Sequence, residues 1–237
     1  MTSFFISDIH LSDSNNKLSS AFINFLKKSK NSFSQLFILG ELFEVWIGDD
    51  HQTDFIDSIK SELLNFTTNG PDTYFMHGNR DFLIGEKFTA DTGIKILPDP
   101  YEININNNKV LLSHGDFLCT DDTDYINFRN RVRDKAWQDS FLSKSIEERS
   151  EIASELRSDS NDATQDKSSE ITDVNESSVK KIIDDYSPDI FIHGHTHRPN
   201  IHEYESSKRI VLGDWGDFGW YLRLDNESYN LEKFSIA

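Results

Sequence analysis

Cysteine is nearly missing from this chain. Cys119 is the only one in 237 residues, so no disulfide can close within it, and a reducing compartment such as the cytoplasm is expected. Long apolar runs are missing too. The opening Phe4-Phe5-Ile6 run aside, nothing approaches the ~18 apolar residues of a membrane span, and no basic leader precedes a long apolar stretch. The expectation is a protein neither exported by a signal peptide nor integral to a membrane. Positive charge is scarce: 24 Lys and Arg stand against 41 Asp and Glu, for a formal net charge of -17 at pH 7. That balance argues against a nucleic-acid partner, whose phosphates are held largely by Lys and Arg. A small phosphate-bearing ligand would need a local positive centre, which metal ions can supply.

The chain does have apolar and aromatic residues, at 36% and 12%, enough to bury one large core or a core with an insertion. Its apolar runs are short and end in polar clusters. Residues 3–7 read as a buried strand that stops at Asp8-Ile9-His10, and alternate residues of an extended backbone share a side, so carboxylate and imidazole leave together. Residues 18–30 follow as an amphipathic helix, with Leu18, Phe22, Phe25 and Leu26 near helical spacing. A second strand, 35–39, closes in Gly40-Glu41-Leu42-Phe43-Glu44, where Gly40 permits a turn that projects Glu41 past the strand end. Trp46 beside it reads as packing. A helix over 56–66 leads to a third strand, 73–76, which runs into His77-Gly78-Asn79-Arg80-Asp81. Asn79 offers a metal a neutral amide oxygen, and Arg80 offers a phosphate a planar, permanently charged fork.

The rear half changes character. Residues 101–105 and 109–113 read as a hairpin about an Asn-rich turn, and the second strand ends in His114-Gly115-Asp116. Val179, Ile182, Ile183 and Tyr186 mark a helix, after which the strand 190–192 delivers His193-Gly194-His195-Thr196-His197. Short strands over 201–204, 209–212, 221–224 and 229–234 complete the pattern, which predicts two sheets packed face to face with helices outside.

Five strand ends thus carry Asp8 with His10, Glu41, Asn79, His114, and His195 with His197. Mixed nitrogen and oxygen donors without thiolate point to manganese, iron or zinc in a catalytic rather than a structural site. Seven ligands are too many for one ion. Two ions about 3.5–4 Å apart, sharing a bridging carboxylate, would use them all.

In this order the motifs resemble those of the calcineurin-like metallophosphoesterases. Phe5-Ile6-Ser7-Asp8-Ile9-His10-Leu11, the run from Ile38 to Asp50, His77-Gly78-Asn79-Arg80-Asp81-Phe82-Leu83, the run from His114 to Asp122, and His193-Gly194-His195-Thr196-His197-Arg198-Pro199 look, more narrowly, like the UDP-2,3-diacylglucosamine pyrophosphohydrolase family of lipid A biosynthesis, from Phe4 to about Trp215. The resemblance implies an α/β fold, a four-layer α/β/β/α sandwich with a helical cap insertion: 1–121 and 171–237 as core and 122–170 as cap. It implies two manganese ions, one held by Asp8, His10, Glu41 and His197 and the other by Glu41, Asn79, His114 and His195. Asn79, Arg80 and His195 would be catalytic. Asp122, Ser160, Thr164 and Lys167 would join those three in touching substrate, with Thr164 standing where Asn is usual. The implied reaction cleaves an amphiphilic UDP-sugar lipid to UMP and 2,3-diacylglucosamine 1-phosphate, on a protein peripherally bound to the cytoplasmic face of the bacterial inner membrane. Oligomeric state is not implied.

Glu41 departs from the pattern, which has Asp there, so geometry should suffer before charge and metal binding should weaken without loss of activity. Two other readings stay open: a phosphoesterase for a soluble dinucleoside polyphosphate or cyclic nucleotide, and a scaffold that keeps the fold without catalysis. In the insertion, Tyr125, Phe128 and Val132 form an apolar stripe, and Ser145-x-x-Glu148 is a capping box opening a helix through Ile152 and Leu156. Composition alone makes 158–169 a flexible linker, whereas the resemblance makes it cap. Arg149 and Arg157 are the expected basic surface for lipid contact.

Overall fold

A computed structural model describes residues 1–165 and 171–236, with backbone alone for 158–165. Strands β1 (Ser3–Ile6), β2 (Gln35–Leu39) and β3 (Asp72–Met76) alternate with helices α1 (Asn16–Ser29) and α2 (Asp54–Thr67), followed by α3 (Glu86–Thr92) and β4 (Lys95–Leu97). The hairpin β5 (Tyr101–Ile105) and β6 (Asn108–Ser113) comes next, then α4 (Thr123–Arg133), α5 (Lys135–Leu142) and α6 (Ile146–Gln165). After α7 (Glu176–Tyr186) come β7 (Ile190–His193), β8 (Asn200–Glu203), β9 (Lys208–Val211), β10 (Phe218–Leu224) and β11 (Tyr229–Ser235).

One sheet runs in the order β11-β10-β1-β2-β3-β4 and the other β5-β6-β7-β9-β8. Strands β1 to β4 are mutually parallel, as are β6, β7 and β9. Strand alternation then sorts the side chains into layers. Phe5, Phe37 and Met76 of the first sheet meet Val110, Leu112 and Ile192 of the second in one buried cluster. Their neighbours Phe4, Ile38 and Phe75 face outward, onto Phe22 of α1, Leu63 of α2 and Phe88 of α3. On the far side Leu111 and Phe191 pack under Val179, Ile182 and Ile183 of α7. The layers are therefore α/β/β/α. Because β1, β2, β3, β6 and β7 end beside one another, their polar exit loops form one rim, the usual ligand position in open α/β sheets.

Three elements go beyond what the sequence pattern announces. Helix α3 has seven residues and β4 three, both too short for periodicity to register. Helix α5 is built on Trp137 and Phe141, stacked with ring centroids 5.1 Å apart against the outer core. The expected capping box is present, with Ser145 N donating to Glu148 Oε2 at 2.9 Å and Glu148 N donating to Ser145 Oγ at 3.2 Å. Helix α6 continues to Gln165, so the Ser/Asp-rich stretch that composition reads as linker is helical that far. Arg149 is a correction: it is no surface cation. Its side chain is 2% exposed and forks onto Asp50 at 2.8 and 2.5 Å and onto the Ile47 carbonyl at 2.7 Å. Among the described residues no helix is long and apolar enough to cross a membrane.

Candidate metal centre

The exit loops are tied to one another before any side chain is considered. Asp8 N donates to Gly40 O at 3.1 Å, while Ile9 N and His10 N share Glu41 O at 2.9 and 3.0 Å; Gly194 N reaches His114 O at 3.0 Å. Asp81, fully buried, staples two loops together: its carboxylate accepts from Gly78 N at 2.9 Å, Leu42 N at 2.8 Å and Glu41 N at 3.2 Å. These ties sustain an unusual backbone. Asp8, His10, Glu41, His195 and His197 all have positive φ, at 54°, 55°, 53°, 69° and 56°. Each such non-glycine residue costs on the order of 1–3 kcal/mol and persists only where its surroundings over-determine it, which is common at functional sites.

The strained residues aim their side chains at one point. Donor atoms of Asp8, His10, Glu41 and His197 lie within 4.8 Å of one another, as do those of Glu41, His114 and His195, so Glu41 belongs to both groups. Its Oε2 is 3.1 Å from His10 Nε2 and its Oε1 is 3.9 Å from His114 Nε2. Asp8 Oδ1 is 3.5 Å from His197 Nε2, and Asp8 Oδ2 accepts from His195 N at 3.0 Å.

Two observations say that cations fit here. Asp8 Oδ1 and Glu41 Oε1 are buried with no hydrogen-bond partner, a costly state unless something else satisfies them. His114 gives the second. Its Nδ1 sits 2.8 Å from the Leu39 carbonyl and must donate there, so in the neutral ring Nε2 presents a lone pair to Asn79 Oδ1, itself an acceptor, at 2.8 Å. Two lone pairs facing each other are relieved by a proton or a cation between them, or by turning the Asn79 amide so that its NH2 donates. A backbone carbonyl behind the imidazole is also the usual orienting partner of a histidine ligand.

The titration pattern is that of carboxylates and imidazoles crowded together in a buried site. Burial pushes the Glu41 carboxyl up, against the pull of His10; it pushes Asp8 up too, but there the neighbouring His197, with His114 and His10, outweighs it and holds the carboxyl well below the usual range. Burial would lower His197, but the same Asp8 contact raises it to about 9. His195 goes down to about 4, first from burial and then from the charge of His114. It is neutral at pH 7.

Of the other expected site residues, Arg80 lies with its Nε 3.8 Å from Glu41 Oε1. Asp122 caps α4, accepting from Tyr125 N at 3.0 Å, and lines the same cleft as Glu41, Asn79, Arg80, His195 and His197. Ser160, Thr164 and Lys167 fall outside the residues whose side chains the structure describes. His193, first of the three alternating histidines, is not in either group: burial and then the neighbouring Arg209 bring it down to about 3. Three partners escape sequence reasoning. Glu44 lies 2.8 Å from His10 Nδ1, and Asp81 is the staple above. Asp116 accepts from Tyr125 OH at 3.0 Å and Arg129 Nε at 2.8 Å, and Tyr125 in turn stacks on His195 with centroids 5.6 Å apart. All three sit within the recognisable motifs, but their roles arise only through space.

The calcineurin-like phosphoesterase family model matches residues 1–199. A UDP-2,3-diacylglucosamine hydrolase of Haemophilus influenzae is 45% identical over 224 residues, covering 94% of this chain and 94% of that protein. Another of the same name, from Tolumonas auensis, is 42% identical over 237 residues, covering 98% and 96%. Among solved structures, an archaeal phosphodiesterase aligns with a TM-score of 0.51 at 14% identity over 99% of this chain and 100% of its own, a likeness of fold. Loop geometry, family model and full-length relatives converge: the chain belongs to the calcineurin-like phosphoesterases and, within them, to the UDP-2,3-diacylglucosamine hydrolase family.

Proposed function

We propose that the protein hydrolyses the pyrophosphate bond of UDP-2,3-diacylglucosamine to UMP and 2,3-diacylglucosamine 1-phosphate in lipid A biosynthesis, with two manganese ions. One observation carries the lipid reading. The polar cleft of the metal centre shares Asn79, Arg80 and Tyr125 with an apolar cavity lined by Trp46, Leu83, Phe128, Trp137 and Phe141 under the inserted helices. Acyl chains attached next to a pyrophosphate need an apolar space within reach of the phosphates, and this cavity offers one.

Asp8, His10, Glu41 and His197 would hold one ion, and Glu41, Asn79, His114 and His195 the other. When bound, the pair supplies an activated water at neutral pH and offsets the charge of the phosphate oxygens. The protein's part is positioning and electrostatics. Arg80 presents its fork to the phosphates, and Asn79 with His195 stabilises charge developing in the transition state. Asp122, with Ser160, Thr164 and Lys167, would complete the substrate contacts from a cap spanning 122–170 over a core of 1–121 and 171–237. We place the protein on the cytoplasmic face of the inner membrane. Val45, on the loop after β2, and Leu142, at the end of α5, 41% and 39% exposed, support a peripheral apolar contact with lipid.

The longer carboxylate reaches both donor groups as it stands, with Oε2 3.1 Å from His10 Nε2 and Oε1 3.9 Å from His114 Nε2. A Cβ on Gly78 would lie 2.5 Å from Glu41 N and 2.6 Å from Glu41 Cγ, so this glycine lets the two loops approach. Accordingly Glu41→Asp is expected to need at least as much manganese as the parent and to turn over no faster. A lower half-saturating manganese concentration for the Asp variant would show that the site is not adapted to Glu. The substrate is tested by competing UDP-2,3-diacylglucosamine against dinucleoside polyphosphates and cyclic nucleotides with manganese present. The lipid should be consumed first; preferential cleavage of a soluble nucleotide would favour the other reading.

A further inference from the structure

Glu44 is in neither ligand group, yet among the described residues it gathers three cationic or protonatable partners from three separate elements. Its Oε2 lies 2.8 Å from Nδ1 of His10, on the loop after β1. Its Oε1 is 3.1 Å from Arg80 Nη1, on the loop after β3, and 2.6 Å from Arg157 Nη2, on α6. The backbone around Glu44 is fixed: Glu44 N donates to Leu11 O at 3.0 Å, and Trp46 N to Arg80 O at 3.1 Å. The carboxylate therefore stands at a set point and its partners come to it.

We propose that Glu44 is a positioning residue that clasps helix α6 to the metal centre, orienting the His10 imidazole with one oxygen and holding Arg80 and Arg157 side by side with the other. The imidazole half rests on the reading of His10 as a metal ligand; the seating of α6 does not. Two guanidiniums thus converge where the polar cleft and the apolar cavity meet, set against Glu44 and, on the Arg80 side, Glu41 at 3.8 Å. Arg80 lines both spaces and Arg157 the apolar one, so the junction is suited to a phosphate joined to a lipid. Arg149 already anchors the first turns of α6 to Asp50 and the Ile47 carbonyl, and Glu44 ties the next turns, at Arg157, to the geometry of His10, so disturbing either should be felt by the other.

The test is a double-mutant cycle on the full chain with Glu44→Gln, which is isosteric, and Arg157→Gln, at a half-exposed position. Two readouts are used: hydrogen exchange of the amides of residues 146–157 without metal, and manganese affinity from the spectroscopic signal of the free ion. Either substitution should speed exchange along α6, by up to about fivefold for a half-exposed ion pair, and the double variant should be no faster than the singles. Glu44→Gln should also weaken manganese binding about 10–100-fold, as loss of a partner orienting a ligand does. Additive exchange effects, or a Glu44→Gln variant exchanging and binding manganese like the parent, would overturn the clasp alone. A parent that binds no manganese would instead overturn the dimetal reading.

Discussion

Removing Glu41 should end catalysis and empty the site at once. Glu41→Ala takes away the one carboxylate that belongs to both donor groups, so both ions lose a ligand, and the loss of several kcal/mol of Lewis-acid stabilisation corresponds to about a thousandfold or more in turnover. His114→Ala should also cut turnover strongly, yet its effect on metal content differs. His114 belongs to one group only, and Asp8, His10, Glu41 and His197 remain to hold an ion. Bound metal measured after desalting should therefore fall from two ions towards one in His114→Ala and towards none in Glu41→Ala. Parent-like activity with full metal content in both variants would sink the dimetal centre.

The second large effect is on pH dependence, and its sign follows from His197. The ring is raised from 6.5 to about 9 by Asp8, so in the metal-free fold it carries a proton at neutral pH, whereas a cation requires the neutral ring. Proton and metal compete below about pH 9, and this group alone should make manganese affinity rise by up to about tenfold per pH unit until it levels off there. Stability of the metal-free protein runs the other way. A histidine whose folded pKa is raised contributes fully below 6.5, and the contribution is lost as pH climbs through about 9. The gain in melting temperature from manganese should accordingly widen between pH 6.5 and 8.5, and His197→Gln should narrow that widening. An equal shift at both pH values in the parent would mean that His197 does not give up a proton to the metal.

How much of this could be read from the sequence depends on the range of the interaction. Short apolar runs and the polar clusters ending them located β1, β2, β3, β6 and β7, and with them the six residues whose donor atoms gather, because a strand and its exit loop are contiguous in the chain. The left-handed backbone of Asp8, Glu41 and His197 was not legible, since nothing in an Asp-x-His or Gly-Glu pair announces a positive φ that neighbouring loops enforce. Glu44 and Asp116 were illegible as hubs for a related reason. Their partners, Arg157 on α6 and Tyr125 with Arg129 on α4, come from the insertion and meet them only in space. Arg149 misled because charge in a polar helix reads as solvated, while Asp50, 99 positions away, draws it inward.

The most direct measurement is hydrolysis of UDP-2,3-diacylglucosamine by the manganese-loaded protein in heavy-oxygen water, with both phosphate products analysed by mass spectrometry. Water attacks the uridine-side phosphorus in the proposed reaction, so UMP should carry one heavy oxygen and the lipid 1-phosphate none; intact lipid after prolonged incubation, or label in the lipid phosphate, would contradict it.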